Sequence, residues 1–107
     1  MAIDFRELTI TFDPTTGRAQ RESATAVFSA QVQKAQAMLK GFHIQYTGSD
    51  HHIWQQQVDL DVTAINNNSV TVAADFLIRD SSGNIDDAYH GWVQAVVVAD
   101  TAANPQT

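Results

Sequence analysis

Two runs of strict alternation, separated by three asparagines, leave this chain little choice of local structure. Val58, Leu60, Val62 and Ala64 alternate with Asp59, Asp61 and Thr63. After Asn66-Asn67-Asn68, the residues Val70, Val72, Ala74, Phe76 and Ile78 alternate with Thr71, Ala73 and Asp75. A period of two puts every apolar side chain on one face of an extended strand, whereas a helix would scatter them around its axis. Asparagine tolerates left-handed backbone, so the triplet reads as a turn. The pattern predicts an antiparallel hairpin with one face in a core.

The same signal recurs elsewhere. Leu8, Ile10 and Phe12 alternate with Glu7, Thr9 and Thr11, ahead of the turn cluster Asp13-Pro14-Thr15-Thr16-Gly17. Phe42, Ile44 and Tyr46 alternate with His43 and Gln45, ahead of Thr47-Gly48-Ser49-Asp50. Asp80-Ser81-Ser82-Gly83-Asn84 is a further turn. Trp92 to Ala99 is a last strand, apolar on both faces beyond Gln94, which places it centrally in a sheet or at a subunit interface. Residues 22–41 are ambiguous. They are rich in helix formers, with Ser23 as a candidate N-cap and Gly41 as a stop, and Phe28, Val32, Ala35 and Leu39 would line one helical face. As a strand, Ala35, Ala37, Leu39 and Gly41 would face one way, and Met38, Lys40, Phe42 and Ile44 the other. The expected fold class is all-β, an antiparallel sandwich of about six strands, with a helical alternative for residues 24–40. One domain spans residues 1–107, with 101–107 as a frayed tail.

Six basic residues against twelve acidic ones give a net charge of −6 and no basic patch. Nucleic acid is therefore not an expected partner, because such complexes depend on phosphate contacts. No apolar run reaches the roughly 20 residues of a membrane helix, so membrane insertion is not expected either. The absence of cysteine excludes disulfides, thiolate catalysis and cysteine-ligated zinc. The start, Met1 to Glu7, lacks the basic-then-apolar layout of a signal peptide. The expectation is a cytoplasmic chain, or one released without a classical signal peptide.

Two clusters could carry chemistry. Asp50-His51-His52 offers imidazole and carboxylate groups suited to a transition metal, although strand neighbours point to opposite faces and the ligand spacing of a metal site is missing. Its bland reading is a polar loop tip. The second cluster gathers Asp80, Asp86, Asp87, Tyr89, His90 and Trp92 where two strands meet a loop. Carbohydrate sites need this mixture, because planar polar groups bind hydroxyls and an aromatic ring covers the apolar face of a sugar. Tyr89 or Trp92 would be the platform, and the histidines would add donors and make binding sensitive to pH. Asp50, His51 and His52 would join from a neighbouring loop or subunit. In the bland reading, Asp80, Asp86 and Asp87 shape turns and Trp92 fills the core. No catalytic residue and no cofactor is expected, since no nucleophile–base pair, phosphate loop or zinc-protease motif is present.

From Val32 to Asp100 the order of features resembles the H-type lectin domain, the family of snail agglutinins and the discoidin C-terminal domain. The likeness runs through Leu39-Lys40-Gly41-Phe42-His43-Ile44, the strand Val58 to Ile65, Asn68-Ser69-Val70-Thr71-Val72, an aspartate-containing excursion, and the closing strand Trp92 to Ala99. The resemblance favours strand over helix for residues 33–46. It implies a six-stranded antiparallel sandwich and trimers or hexamers that bind galactose or N-acetylgalactosamine at protomer boundaries. It also implies a sugar-contacting arginine on a central strand. The matching strand here, Val58 to Ala64, has none, and Asp59 and Asp61 take its outward positions. The expected function is a non-enzymatic, lectin-like glycan-binding module acting as a homo-oligomer, with a trimer favoured by the resemblance. The alternatives are a structural subunit of a surface, phage or toxin-associated particle, and a metal-binding protein built on Asp50, His51 and His52.

Overall fold

The alternating hairpin forms, but its first strand keeps the alternation only through Val58, Leu60 and Val62: the register shifts before Ala64, which turns outward while Ile65 turns in. In the computed structural model, which describes residues 2–16, 19–48, 53–80 and 88–102, strand β4 (Ile53–Asn66) pairs antiparallel with β5 (Ser69–Asp80). Asn67 takes the left-handed conformation at the turn, with φ of 55°. Asn68 then docks the turn on the segment before β3, its Nδ2 donating to the Phe28 carbonyl at 2.9 Å. Around this hairpin stand β1 (Ala2–Thr15), β2 (Gln20–Val27), β3 (Val32–Tyr46) and β6 (Tyr89–Thr101).

The six strands make two antiparallel sheets of three, ordered β1-β6-β3 and β2-β5-β4. The sheets face each other with β1 across from β2 and β3 across from β4. Each sheet is organised around its central strand. On β5, the inward side chains of Val70, Val72, Ala74, Phe76 and Ile78 are sealed from solvent; on β6, so are Tyr89, Val93, Ala95, Val97 and Ala99. Phe12 and Phe76 stack across the sheets at 4.3 Å, and Phe76 meets Tyr89 at 5.9 Å. Long strands in narrow sheets give an elongated body of 58 × 19 × 17 Å. Its radius of gyration is 16.7 Å, against about 13 Å for a rounder chain of this length.

Other expectations need correction. The helical alternative for residues 24–40 fails: β2 and β3 occupy it, with Phe28 and Val32 buried at the connection between them. Tertiary pairing overrides helix propensity here, because β3 supplies one whole edge of the β6-centred sheet. The simple alternation along β3 also fails. The register shifts between Leu39 and Gly41, so Ala35, Ala37, Leu39, Phe42 and Ile44 all share the inward side. At the ends, β1 continues through Asp13-Pro14 with a register irregularity instead of turning there, and proline is tolerated because β1 is an edge strand. Thr101 is no frayed end; it is buried and its hydroxyl donates to the Ala2 carbonyl at 3.0 Å.

Candidate functional site

The closing strand sorts its residues by parity. Tyr89, Gly91 and Val93 point into the core, so His90, Trp92 and Gln94 point out from the middle of the β6-centred sheet. Trp92 remains 37% exposed. Its neighbours across the ladder are Thr11 on β1 and His43 on β3. The His43 and Trp92 rings lie 6.0 Å apart at 24°. Gln45 stands opposite His90 and holds His43 through its Oε1, 2.6 Å from Nε2. Thr47, just past the end of β3, bonds Nδ1 of His90 at 2.8 Å.

The result is an aromatic plate bordered by imidazole, amide and hydroxyl groups on an open sheet face. The floor beneath it is stiff. Phe12, Phe76 and Tyr89 stack below the same end of the sheet, the Tyr89 hydroxyl donates to the Phe76 carbonyl at 3.1 Å, and Gln20 donates to the Tyr89 carbonyl at 3.1 Å. A planar ring with hydrogen-bonding edges around it can cover one face of a sugar and bind its hydroxyls.

The expected site residues divide into three groups. His90 and Trp92 are brought together on the plate. Tyr89 is not, because it is fully buried on the opposite side of the strand and belongs to the core. Asp50, His51, His52, Asp86 and Asp87 lie outside the described residues, as does the side chain of Asp80, whose backbone ends β5. The structure adds His43, Gln45, Thr47 and Thr11 to the plate. In the sequence, His43 and Gln45 already stood as the polar phase of an alternating strand, but only the β3–β6 register shows that this phase meets Trp92.

A second polar group sits on the outer face of the other sheet. Asp59, Asp61 and Asp75 place carboxylate oxygens within 4.8 Å of one another. Arg21 binds Asp75 and lies 3.7 Å from Asp61. Its guanidinium is pushed above its ordinary pKa by that hydrogen bond and by the surrounding carboxylates. Arg21 thus supplies the counter-charge that three clustered acids need. No protein-family model matches the chain, and comparisons with curated proteins and with solved structures find no match.

Proposed function

We propose that this chain is a non-enzymatic, lectin-like module that binds glycans on the Trp92 plate and works as an oligomer. The observation that carries the reading is the exposed Trp92 ring on the central strand of an open sheet face, near one end, flanked by His43 and with His90 and Gln45 beside it. A core tryptophan would not be left in water on the outward side of a central strand. The six-stranded two-sheet sandwich is compatible with the lectin resemblance, which makes galactose and N-acetylgalactosamine the first sugars to test. Donors on this plate are imidazole, amide and hydroxyl groups, so hydroxyl recognition here does not depend on the missing arginine. The plate is an open surface, suited to binding without the water-excluded cleft that acid–base hydrolysis uses.

A glycan array of the intact chain, followed by titration of any hit, tests the reading. Binding that disappears in Trp92→Ala supports it. Binding that survives this substitution moves the site elsewhere. The other end of the same sheet face favours a second reading, a structural subunit that binds protein. There Ile3, Phe5 and Met38 are each more than half exposed, beside half-buried Val96 and Val98. Sheet faces this apolar mark contact surfaces. A blank array together with filaments or cages by electron microscopy would favour that reading.

A further inference from the structure

The two long sides of the sandwich are closed differently. On the β1–β2 side the inward residues Ile10, Phe12 and Ala26 are sealed, and Arg6 straps the gap. Its Nε donates to the Val27 carbonyl at 3.0 Å and its guanidinium lies 4.8 Å from the centre of the Phe28 ring. On the β3–β4 side the inward apolar side chains stay wet. Leu39 is 47%, Phe42 39% and Ile65 41% exposed, and Ile44, Leu60 and Val62 are only half-buried. These residues face the core by register, yet none of the described residues covers them.

We propose that the β3–β4 side is an interface between copies of this chain, closed around an axis parallel to the strands so that β3 of one copy faces β4 of the next. The area fits. β4 has 14 residues, so at about 3.3 Å per residue this side is roughly 46 Å long. Multiplied by the 17 Å breadth of the molecule, it offers roughly 800 Å², the share each partner gives to a standard stable interface. The charges fit as well. β3 carries Lys34 and Lys40 and no acidic residue; β4 carries Asp59 and Asp61 and no basic one. An axis along the strands sets these unlike rims against each other, whereas an axis across them would set lysine against lysine. Lys40 and Asp61 already have partners within the chain, Glu7 and Arg21, so the rims select orientation more than they supply affinity. Height matches too: Val32 bonds Asn67, and an equal count of residues along β3 and back along β4 arrives at Lys40 and Asp59. Finally, both rim strands carry register shifts, at Leu39/Gly41 and at Val62/Ala64. Such breaks oppose continuous strand pairing between copies, so the contact is made by side chains.

The proposal rests on the oligomer in the reading above and not on its sugar. The test is the mass of the intact chain in solution, by sedimentation across 1–100 µM or so, with circular dichroism to confirm folding. The wild type is expected to form a dimer or a closed trimer. Leu39→Glu and Ile65→Glu should each weaken association at least tenfold, while Phe5→Glu, on the outer sheet face, leaves it intact. If the seam variants do not fold, the exposed rims decide: Lys40→Glu and Asp59→Lys each weaken assembly at low salt, and the double variant restores it. A monomeric wild type overturns the proposal. So does a multimer that survives folded seam variants, one that Phe5→Glu dissolves in their place, or a double charge swap that fails to restore. A blank glycan array beside a seam-dependent multimer would remove the sugar reading and keep this one; a sugar-binding monomer would do the reverse.

Discussion

Neighbouring residues on β6 answer to different demands, and single substitutions should separate them. Tyr89 is sealed and hydrogen-bonded to the Phe76 carbonyl. Tyr89→Ala should cost about 3–5 kcal/mol, the range for losing a buried aromatic side chain, and Tyr89→Phe about 1 kcal/mol, the worth of one hydrogen bond. Trp92→Ala should leave the melting temperature within a few degrees, since a partly exposed ring contributes little to the core, and should remove ligand binding. Between them, Gly91 is fixed by close approach. A Cβ there would lie 1.8 Å from the His43 carbonyl oxygen and 2.9 Å from the Phe76 ring. Gly91→Ala must push β3 away from β6, and a loss of about 3 kcal/mol or more is expected on chemical denaturation. Sequence alone displayed the Tyr89-His90-Gly91-Trp92 cluster but not its parity. Alternation says that Tyr89 and Trp92 point to opposite faces; which face is the core depends on pairing with β1 and β3, and local pattern does not contain that. The requirement for glycine at 91 likewise comes from a strand nearly fifty positions away in the chain.

At the scale of elements, the hairpin was the most legible part, for a physical reason. β5 carries a clean period of two, β4 keeps it from Val58 to Val62 before a register shift, and Asn67 meets the left-handed requirement of the turn on its own. Asn67→Gly should therefore be tolerated. Asn67→Val should cost about 1–2 kcal/mol, the penalty for a β-branched residue held in left-handed backbone, read as a lower denaturation midpoint with an unchanged slope. Its two strands are not equivalent, however. β5 is central and sealed, while β4 is an edge with Leu60 half-buried. Leu60→Ala should fall near the bottom of the roughly 2–5 kcal/mol range for core leucines, with Phe76→Ala well above it. β3 was the least legible element. Ala, Gln, Lys, Met and Leu favour helix, and the shift at Lys40 breaks the alternation that would have announced a strand. Its strand character is imposed by β6, whose continuous apolar run needs a partner on each edge. That same run did announce its own central position.

At the scale of the whole molecule, the long, thin shape bears on whether stability depends on concentration. Two sheets of three strands enclose a narrow core, and the β3–β4 side leaves Leu39, Phe42 and Ile65 partly in water. A core open along one side is a weak basis for a stable monomer, since burial of such side chains contributes roughly 1.5–3 kcal/mol each. If the seam closes only between copies, unfolding and dissociation become one process and the melting temperature rises with protein concentration. Unfolding enthalpy near 60 °C is about 0.7 kcal/mol per residue, or roughly 75 kcal/mol for this chain. A hundredfold increase in concentration should then raise the melting temperature by about 7 °C for a dimer and about 9 °C for a trimer, by mass action on that enthalpy. Ile65→Glu, if folded, should melt at a lower temperature that does not move with concentration, because no association remains to be coupled. Phe5→Glu should keep the wild-type slope, its side chain lying on the outer face away from the seam. Differential scanning calorimetry over two decades of concentration reads all three. A wild-type melting temperature flat across that range would mean that the monomer is stable with its seam open.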